Sequence, residues 1–472
     1  MPRIETDYLI IGAGAAGLAF ADTLLAERPD AHLTIVDRHA RPGGHWNDAY
    51  PFVALHQPSA FYGVASLPLD TGRRDAGGPN AGLHELASGP EISAYFDRVM
   101  RERLLPTGRV DYRPMCGLGA DGRIVSLLSG ATTEVTARRR VVDARYHAPE
   151  VPATHARRFA VSPEARVVPP GELARLGLGP APGPVPSHFA ILGAGKTGMD
   201  VATWLLDRGV PPDAITWVVP RDSWLLNRLQ TQPGEDFFEH SIGGQADQMA
   251  AWGEARSVQD LFERLEACGT LLRIDPTRRP SMFHLATISQ GEVDALRRLH
   301  RIVRKGRVRS VDAAGLELDH GREALPPGTL CVDCTASAVE PRPMQPIFQD
   351  GRIVLQLVRL PQPAFSAALI ARVEAQDADD AQKNRLCAPV PFPATLDDYP
   401  RALLANLRNQ LQWSQDKALR TWIRDCRLDG FGRLIASIDP QDAARQAIVA
   451  RLRTHAPAAL ANLARLAGAP LV

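Results

Sequence analysis

The sequence predicts an α/β chain made of two Gly-rich strand–turn–helix units followed by a helical C-terminal region. Two observations carry this. An apolar run, Tyr8-Leu9-Ile10-Ile11, leads directly into Gly12-Ala13-Gly14-Ala15-Ala16-Gly17 and then into helically spaced residues 18–25. The same pattern returns as Phe189-Ala190-Ile191-Leu192, Gly193-Ala194-Gly195-Lys196-Thr197-Gly198 and residues 199–206. Strand, Gly-x-Gly-x-x-Gly and helix, in that order, form a Rossmann-like dinucleotide-binding unit. Its glycines permit a tight turn, close approach of a pyrophosphate and close helix–strand packing.

In the first unit the helix start at Gly14, Ala15 and Ala16 presents unpaired N–H groups and a partial positive charge to phosphates. A second apolar strand, Leu33-Thr34-Ile35-Val36, ends in Asp37, followed by Arg38. An acid about twenty residues past the last glycine suits a ribose hydroxyl pair. Gly12, Gly14, Ala15, Ala16, Gly17, Asp37 and Arg38 are therefore the expected contacts of a first nucleotide. An ordinary Gly-rich turn would leave Asp37 unexplained.

In the second unit the strand at 215–219 ends in Pro220-Arg221-Asp222 rather than in an acid. Loss of the ribose acceptor together with a nearby arginine favours a 2′-phosphate, hence NADP(H) over NAD(H). Gly193, Gly195, Lys196, Thr197, Gly198 and Arg221 are the expected contacts. The alternative is that Arg221 is a solvated strand-end charge, with Asp222 beside it. Gly195-Lys196-Thr197 is not a phosphate loop, because that pattern needs a glycine at position 190, which is alanine.

The 472 residues are 45% hydrophobic and 23% charged, with a net charge of +1. This composition supports a sizeable core and two or three domains. It offers no overall field for nucleic acid or an acidic membrane. No apolar run is long enough to span a bilayer, and the N-terminus lacks the features of a signal peptide. The six scattered cysteines suit a reducing cytoplasm. Cys331-x-x-Cys334 lies on an expected strand, where the two side chains point to opposite faces, so a redox or zinc role is not expected.

Residues 38–70 concentrate aromatics, amides and imidazoles without periodicity, in Gly43-Gly44-His45-Trp46-Asn47-Asp48-Ala49-Tyr50-Pro51 and Leu55-His56-Gln57-Pro58-Ser59. Loops of this kind often carry function, although packing of the aromatics on the core would also explain them. Residues 71–90 are Gly- and Pro-rich and read as an excursion or mobile loop. A helix is expected at 92–105. Three short strands near 110–112, 124–128 and 132–136 suggest an antiparallel insertion, and 140–143 returns to the main sheet. Residues 225–300 read as mostly helical. The expected organisation is a first nucleotide domain at 1–150, a Pro-rich crossing at 151–187 and a second nucleotide domain at 188–330. Residues 331–395 return to the first domain. A helical region at 396–472 covers the substrate side or forms a homodimer contact.

Two such motifs in one chain, with Gly43-Gly44-His45-Trp46 after the ribose acid, resemble the two-dinucleotide-binding flavoproteins, and most closely the class B flavin monooxygenases. The resemblance spans roughly residues 5–340. It implies FAD on the first unit, with Gly44, His45 and Trp46 adding contacts, and NADPH on the second. It also implies hydride transfer from NADPH to FAD, reaction with molecular oxygen, and oxygenation of a small organic substrate through a C4a-peroxyflavin. His45, Trp46, Asn47, His56 and Gln57 form the implied catalytic shell, since amides and imidazoles can donate to flavin or peroxide oxygens. Against the family pattern, the fingerprint between the motifs is absent. The Ala-Thr-Gly turn reads Ala144-Arg145-Tyr146, with Cys334-Thr335-Ala336 in its second copy. These departures leave open a flavoprotein dehydrogenase or oxidase that builds no stable peroxide, or a non-catalytic nucleotide-binding partner protein.

Overall fold

The computed structural model describes residues 2–147, 149–177, 186–337, 339 and 342–470. Part of the Pro-rich crossing, residues 178–185, lies outside them. Two parallel sheets organise the chain. In the first, the strands run in the order Arg352–Val354, Thr132–Asp143, Arg3–Ile11, Leu33–Val36, Val110–Arg113, with Phe348–Gln349 antiparallel on one edge. In the second the order is Arg166–Val168, Leu330–Asp333, Phe189–Leu192, Ile215–Val218, Arg301–Val303, all parallel. The central strands are apolar and buried along their length, as parallel strands covered on both faces must be.

Helix Ala15–Glu27 follows the first glycine turn and Lys196–Asp207 the second. Ala15–Glu27 packs on Pro363–Glu374, a helix buried on nearly all sides. The Tyr8 hydroxyl, on the first strand, donates to Glu374 Oε1 at 3.0 Å and so fastens this later segment to the first sheet. Toward the C-terminus, helices Tyr399–Gln415, Lys417–Asp425 and Ala443–Leu466 follow the expected periodicity.

Several local expectations are corrected. Val110–Arg113 pairs parallel with Leu33–Val36 and belongs to the main sheet, not to an antiparallel insertion. The insertion consists of Cys116–Leu118 and Ile124–Ser126 laid on Thr132–Asp143, a single twelve-residue strand. Its middle carries three arginines on a partly exposed stretch, which made one strand read as two. Residues expected to be mostly helical contain a three-stranded sheet, Leu271–Leu272, Ser223–Asn227 and Met282–Ile288. Such short strands are stabilised by pairing partners far away in sequence, which no local period reports. The Pro-rich crossing itself supplies an edge strand, Arg166–Val168, to the second sheet.

Residues 71–90 are likewise no free excursion. Ser289 Oγ donates to Pro79 O at 2.9 Å, and a side chain on Gly291 would lie 2.3 Å from the same carbonyl oxygen. His84 N donates to Gln232 Oε1 at 2.8 Å. The loop is a strap from the first nucleotide unit onto the second.

Candidate active site at the junction of the two nucleotide units

The first glycine turn is built for close approach. Gly12 has φ +108°, and a Cβ on Gly17 would lie 2.0 Å from Gly12 O, so strand and helix touch there without a side chain between them. Gly44 folds back over the turn, and a Cβ on it would sit 2.9 Å from Gly14 Cα. Helix Ala15–Glu27 starts at Gly14 with no side-chain cap and no acid in its first turn, which leaves its N–H groups for an anion.

Asp37 is buried at the end of its strand. Its Oδ2 accepts from Ala13 N at 2.6 Å, and its Oδ1 accepts from His39 N at 2.8 Å. The His39 ring bridges Asp37 Oδ1 and Asp48 Oδ2, each at 2.8 Å. The hydrogen bond to Asp37 leads the contacts that hold His39 above its ordinary value. Burial works against the Asp37 charge, but the His39 contacts outweigh it and keep the carboxylate below its usual range. A carboxylate has about four lone-pair positions, and with three taken one remains for a ribose hydroxyl. Arg38 turns instead to Asp48, 3.6 Å away. The free helix start, the glycine cradle and this oriented acid fit the adenosine diphosphate half of a dinucleotide.

The implied catalytic residues separate into two groups. The Trp46 indole donates to the Tyr62 hydroxyl at 2.7 Å, and the His45 ring lies against Trp46 with centroids 5.1 Å apart. Asn47 Nδ2 donates to Gly44 O at 3.0 Å and Arg41 O at 3.2 Å, and Gln57 Nε2 reaches Phe61 O at 3.4 Å. Both amides thus brace their own loop. The side chain of His56 keeps 42% of its surface accessible, and its Nε2 lies 4.0 Å from Asp200 Oδ2.

Burial lowers His45 to about 4, and the Asp48 charge only partly opposes it. Burial also lowers His56 to about 4, and positive charge on Lys196 adds to it. Both rings are therefore neutral near pH 7. Because the unfolded chain binds these protons near pH 6.5 and the folded chain does not, stability is expected to fall as pH drops from about 6.5 toward 4. Melting midpoints at pH 7 and pH 5 should converge in a His45→Gln/His56→Gln variant. An unchanged gap would assign the acid sensitivity elsewhere.

The two units meet through a buried network of polar and charged groups. The Tyr50 hydroxyl donates to Asp200 Oδ2 at 2.7 Å, and Thr197 lies beside the same phenol. Asp200 is ion-paired with Lys196, whose Nζ also lies 3.3 Å from Glu292 Oε1. Glu292 pairs with Arg228, which is fully buried and donates to His56 O at 2.9 Å and Asn80 Oδ1 at 2.5 Å. Two cations balance two carboxylates, as burial requires. The Lys196 side chain is thereby turned away from a phosphate role, and only its backbone N–H remains at the helix start. Tyr50, Asp200, Arg228 and Glu292 were not singled out by sequence reasoning. Of these, Tyr50 lies in the aromatic loop, the one place where the sequence carries a signal for them.

In the second unit, a Cβ on Gly195 would meet nothing within 4 Å, and the helix that follows has no side-chain cap. Beyond the strand end lies a cavity of about 310 Å³ lined by Ala194, Trp217, Arg221, Asp222, Arg273 and Arg304, among others. Burial and the nearby Arg307 lower Arg221, and no carboxylate among the described residues pairs with it. An unneutralised guanidinium beside the glycine turn fits a 2′-phosphate. Cys331 is buried on the strand Leu330–Asp333, while Cys334 is buried just past its end rather than on the expected strand; burial pushes the Cys331 thiol up to about 12, which makes it inert.

The NAD(P)-binding Rossmann-like domain family matches residues 10–61. The chain is 44% identical to the uncharacterized protein Rv2000 of Mycobacterium tuberculosis over 463 residues, covering 98% of this chain and 84% of that protein. A shorter stretch of 102 residues, 21% of this chain and 17% of the relative, is 34% identical to the FAD-dependent monooxygenase rstn6 of Aspergillus nomiae. Among solved structures, the polycyclic ketone monooxygenase of the thermophilic fungus Thermothelomyces thermophila aligns with 98% of this chain and 85% of its own, at 13% identity and a TM-score of 0.50. At that identity the likeness speaks to fold. Among the described residues no helix is long and apolar enough to cross a membrane. The chain belongs to the same family as the mycobacterial protein and has the two-dinucleotide-domain fold of the class B flavin monooxygenases.

Proposed function

We propose that this chain is an FAD-dependent, NADPH-using oxidoreductase, a monooxygenase that joins molecular oxygen to a small organic substrate. The observation that supports this most is the Tyr50–Asp200 hydrogen bond at 2.7 Å. It ties the aromatic loop of one nucleotide unit to the helix that opens the other, so two bound nucleotides would be held side by side. Hydride transfer between two cofactors needs that proximity. The flavin, when bound, supplies hydride acceptance and oxygen activation.

The chain's own residues orient and shield. Asp37, held by His39, would take the ribose, and the Gly14–Gly44 cradle and the free helix start would take the pyrophosphate. Trp46, Tyr62 and the neutral His45 would shield the bound flavin from water, the condition for avoiding wasteful release of hydrogen peroxide. Arg221 would read the 2′-phosphate.

The test is an absorption spectrum of the purified protein followed by anaerobic NADPH and, separately, NADH. The expected result is a yellow protein that bleaches with NADPH in preference to NADH. Colourless protein that takes up no added FAD would overturn the proposal. Arg221→Gln is expected to weaken NADPH by about tenfold or more while leaving NADH within about twofold, because it removes one charge-assisted phosphate contact. Steady-state KM values for the two nucleotides check this.

One observation favours a second reading. Arg145 occupies the position of a small turn residue, with its Cγ 3.7 Å from where a Gly12 Cβ would stand. A turn that departs in this way from the Ala-Thr-Gly of the flavoproteins favours an oxidase that returns hydrogen peroxide. Peroxide yield per NADPH consumed, with candidate ketones and sulfides present, separates the two readings.

A further inference from the structure

The cavity beyond the second glycine turn contains a contradiction. Arg221 invites a phosphate, yet Asp222 follows it directly and lines the same space. A free carboxylate at a strand end accepts a ribose hydroxyl pair and repels a 2′-phosphate. Asp222, however, is not free. Arg304 Nε donates to its Oδ2 and Arg304 Nη2 to its Oδ1, both at 3.0 Å. The same Nη2 lies 2.9 Å from Asp275 Oδ2. Asp275 in turn is fixed by Thr277, whose N and Oγ1 donate to its Oδ1 at 3.0 and 2.6 Å. The Asp222 main chain is held as well, since Ser281 N and Met282 N donate to its carbonyl at 3.1 and 3.2 Å.

The other cations of the cavity are also engaged. Arg273 Nε lies 2.7 Å from Glu266 Oε1, and Arg297 Nη1 lies 3.4 Å from Asp294 Oδ1. Arg221 is left as the cation facing the space without an anionic partner among the described residues, and Arg304 clamps both carboxylates that line it, Asp222 next to Arg221 and Asp275 beyond.

We propose that Arg304 determines nucleotide specificity by masking Asp222. It is a positioning residue that acts through the carboxylate rather than through the nucleotide. Bidentate pairing occupies a lone pair on each Asp222 oxygen and offsets its charge, with the guanidinium shared with Asp275, which weakens both the acceptor for a bare ribose and the repulsion toward a 2′-phosphate. The choice of NADP(H) over NAD(H) then depends on two arginines with different tasks, Arg221 attracting the phosphate and Arg304 silencing its competitor. The inference rests on the NADP(H) assignment proposed above.

Calorimetric binding of 2′,5′-ADP and 5′-AMP to the full chain tests it without turnover. Arg304→Gln is expected to weaken 2′,5′-ADP by about tenfold and to leave 5′-AMP unchanged or tighter, from exposure of one like charge. Adding Asp222→Asn to that variant should restore 2′,5′-ADP to within about twofold of the wild type. Asp222→Asn alone should change 2′,5′-ADP by less than about twofold, because a masked charge has little left to lose. That variant keeps the inference testable if Arg304→Gln fails to fold. A large gain in 2′,5′-ADP affinity from Asp222→Asn alone would overturn the masking role. So would a double variant that stays weak, which would make Arg304 a direct phosphate ligand. Wild-type protein that does not prefer 2′,5′-ADP over 5′-AMP would remove the NADP(H) assignment itself, an outcome distinct from either.

Discussion

Replacing Arg228 by alanine is expected to destabilise the protein by about 3–5 kcal/mol, the usual cost of leaving one partner of a buried ion pair alone. Arg228 has no exposed surface. Its guanidinium satisfies the His56 carbonyl at 2.9 Å, Asn80 Oδ1 at 2.5 Å, the Thr287 carbonyl at 3.2 Å and the Glu292 carboxylate. Burial works against the Glu292 charge, yet Lys196 and Arg228 outweigh it and hold the carboxylate at about 2. Without Arg228 that carboxylate keeps the Ser289 amide but has Lys196 as its one cation, which it shares with Asp200, and the strap at 71–90 loses its anchor at Asn80. Arg228→Met combined with Glu292→Gln removes the charges together and should recover most of the loss. Chemical denaturation of both variants, with proteolysis across 71–90 as a second readout, checks this. A loss under about 1 kcal/mol in Arg228→Ala would show that the network is not what joins the units.

Gly17→Ala is the second large effect. The added methyl would stand 2.0 Å from Gly12 O and 3.3 Å from Ala144 Cβ, so strand and helix must separate. Gly12 cannot easily yield, because its φ of +108° already lies where side chains are strained and its N donates to Val36 O at 2.8 Å. An overpacking cost of about 1–3 kcal/mol is expected, together with loss of bound flavin, because the turn that shapes the pyrophosphate site is displaced. Gly195→Ala is the contrast. Its methyl meets no protein atom within 4 Å, so the fold and the yellow colour should survive while NADPH binding weakens. The ratio of flavin to protein absorbance and the NADPH KM separate the two variants. Equal flavin content in Gly17→Ala and wild type would refute the assignment of the first unit to FAD.

The parts of this protein that sequence alone determined are those with a short-range code. Apolar runs at 8–11 and 189–192 became buried strands, the two glycine patterns became turns, and helical spacing after each became Ala15–Glu27 and Lys196–Asp207. The positions of Asp37 and Arg221 followed from counting along the same units. In each case the residues that set the geometry lie within one strand–turn–helix–strand unit, so the pattern can be read locally.

What only the tertiary structure decided is carried by contacts between distant residues. Tyr50 and Asp200 are 150 residues apart, Lys196 and Glu292 are 96 apart, and Arg304 lies 82 residues beyond the Asp222 it masks. Each of these side chains reads, in isolation, as an ordinary polar residue. Lys196 reads as a phosphate ligand and Asp222 as a competitor of Arg221, until the partners that neutralise them are in view. Asn47 and Gln57 read as donors for chemistry and turn out to brace their loop. Backbone periodicity encodes where a segment buries its apolar face. The partner of a charge is chosen by whatever that burial brings within about 4 Å, and this depends on the packed whole.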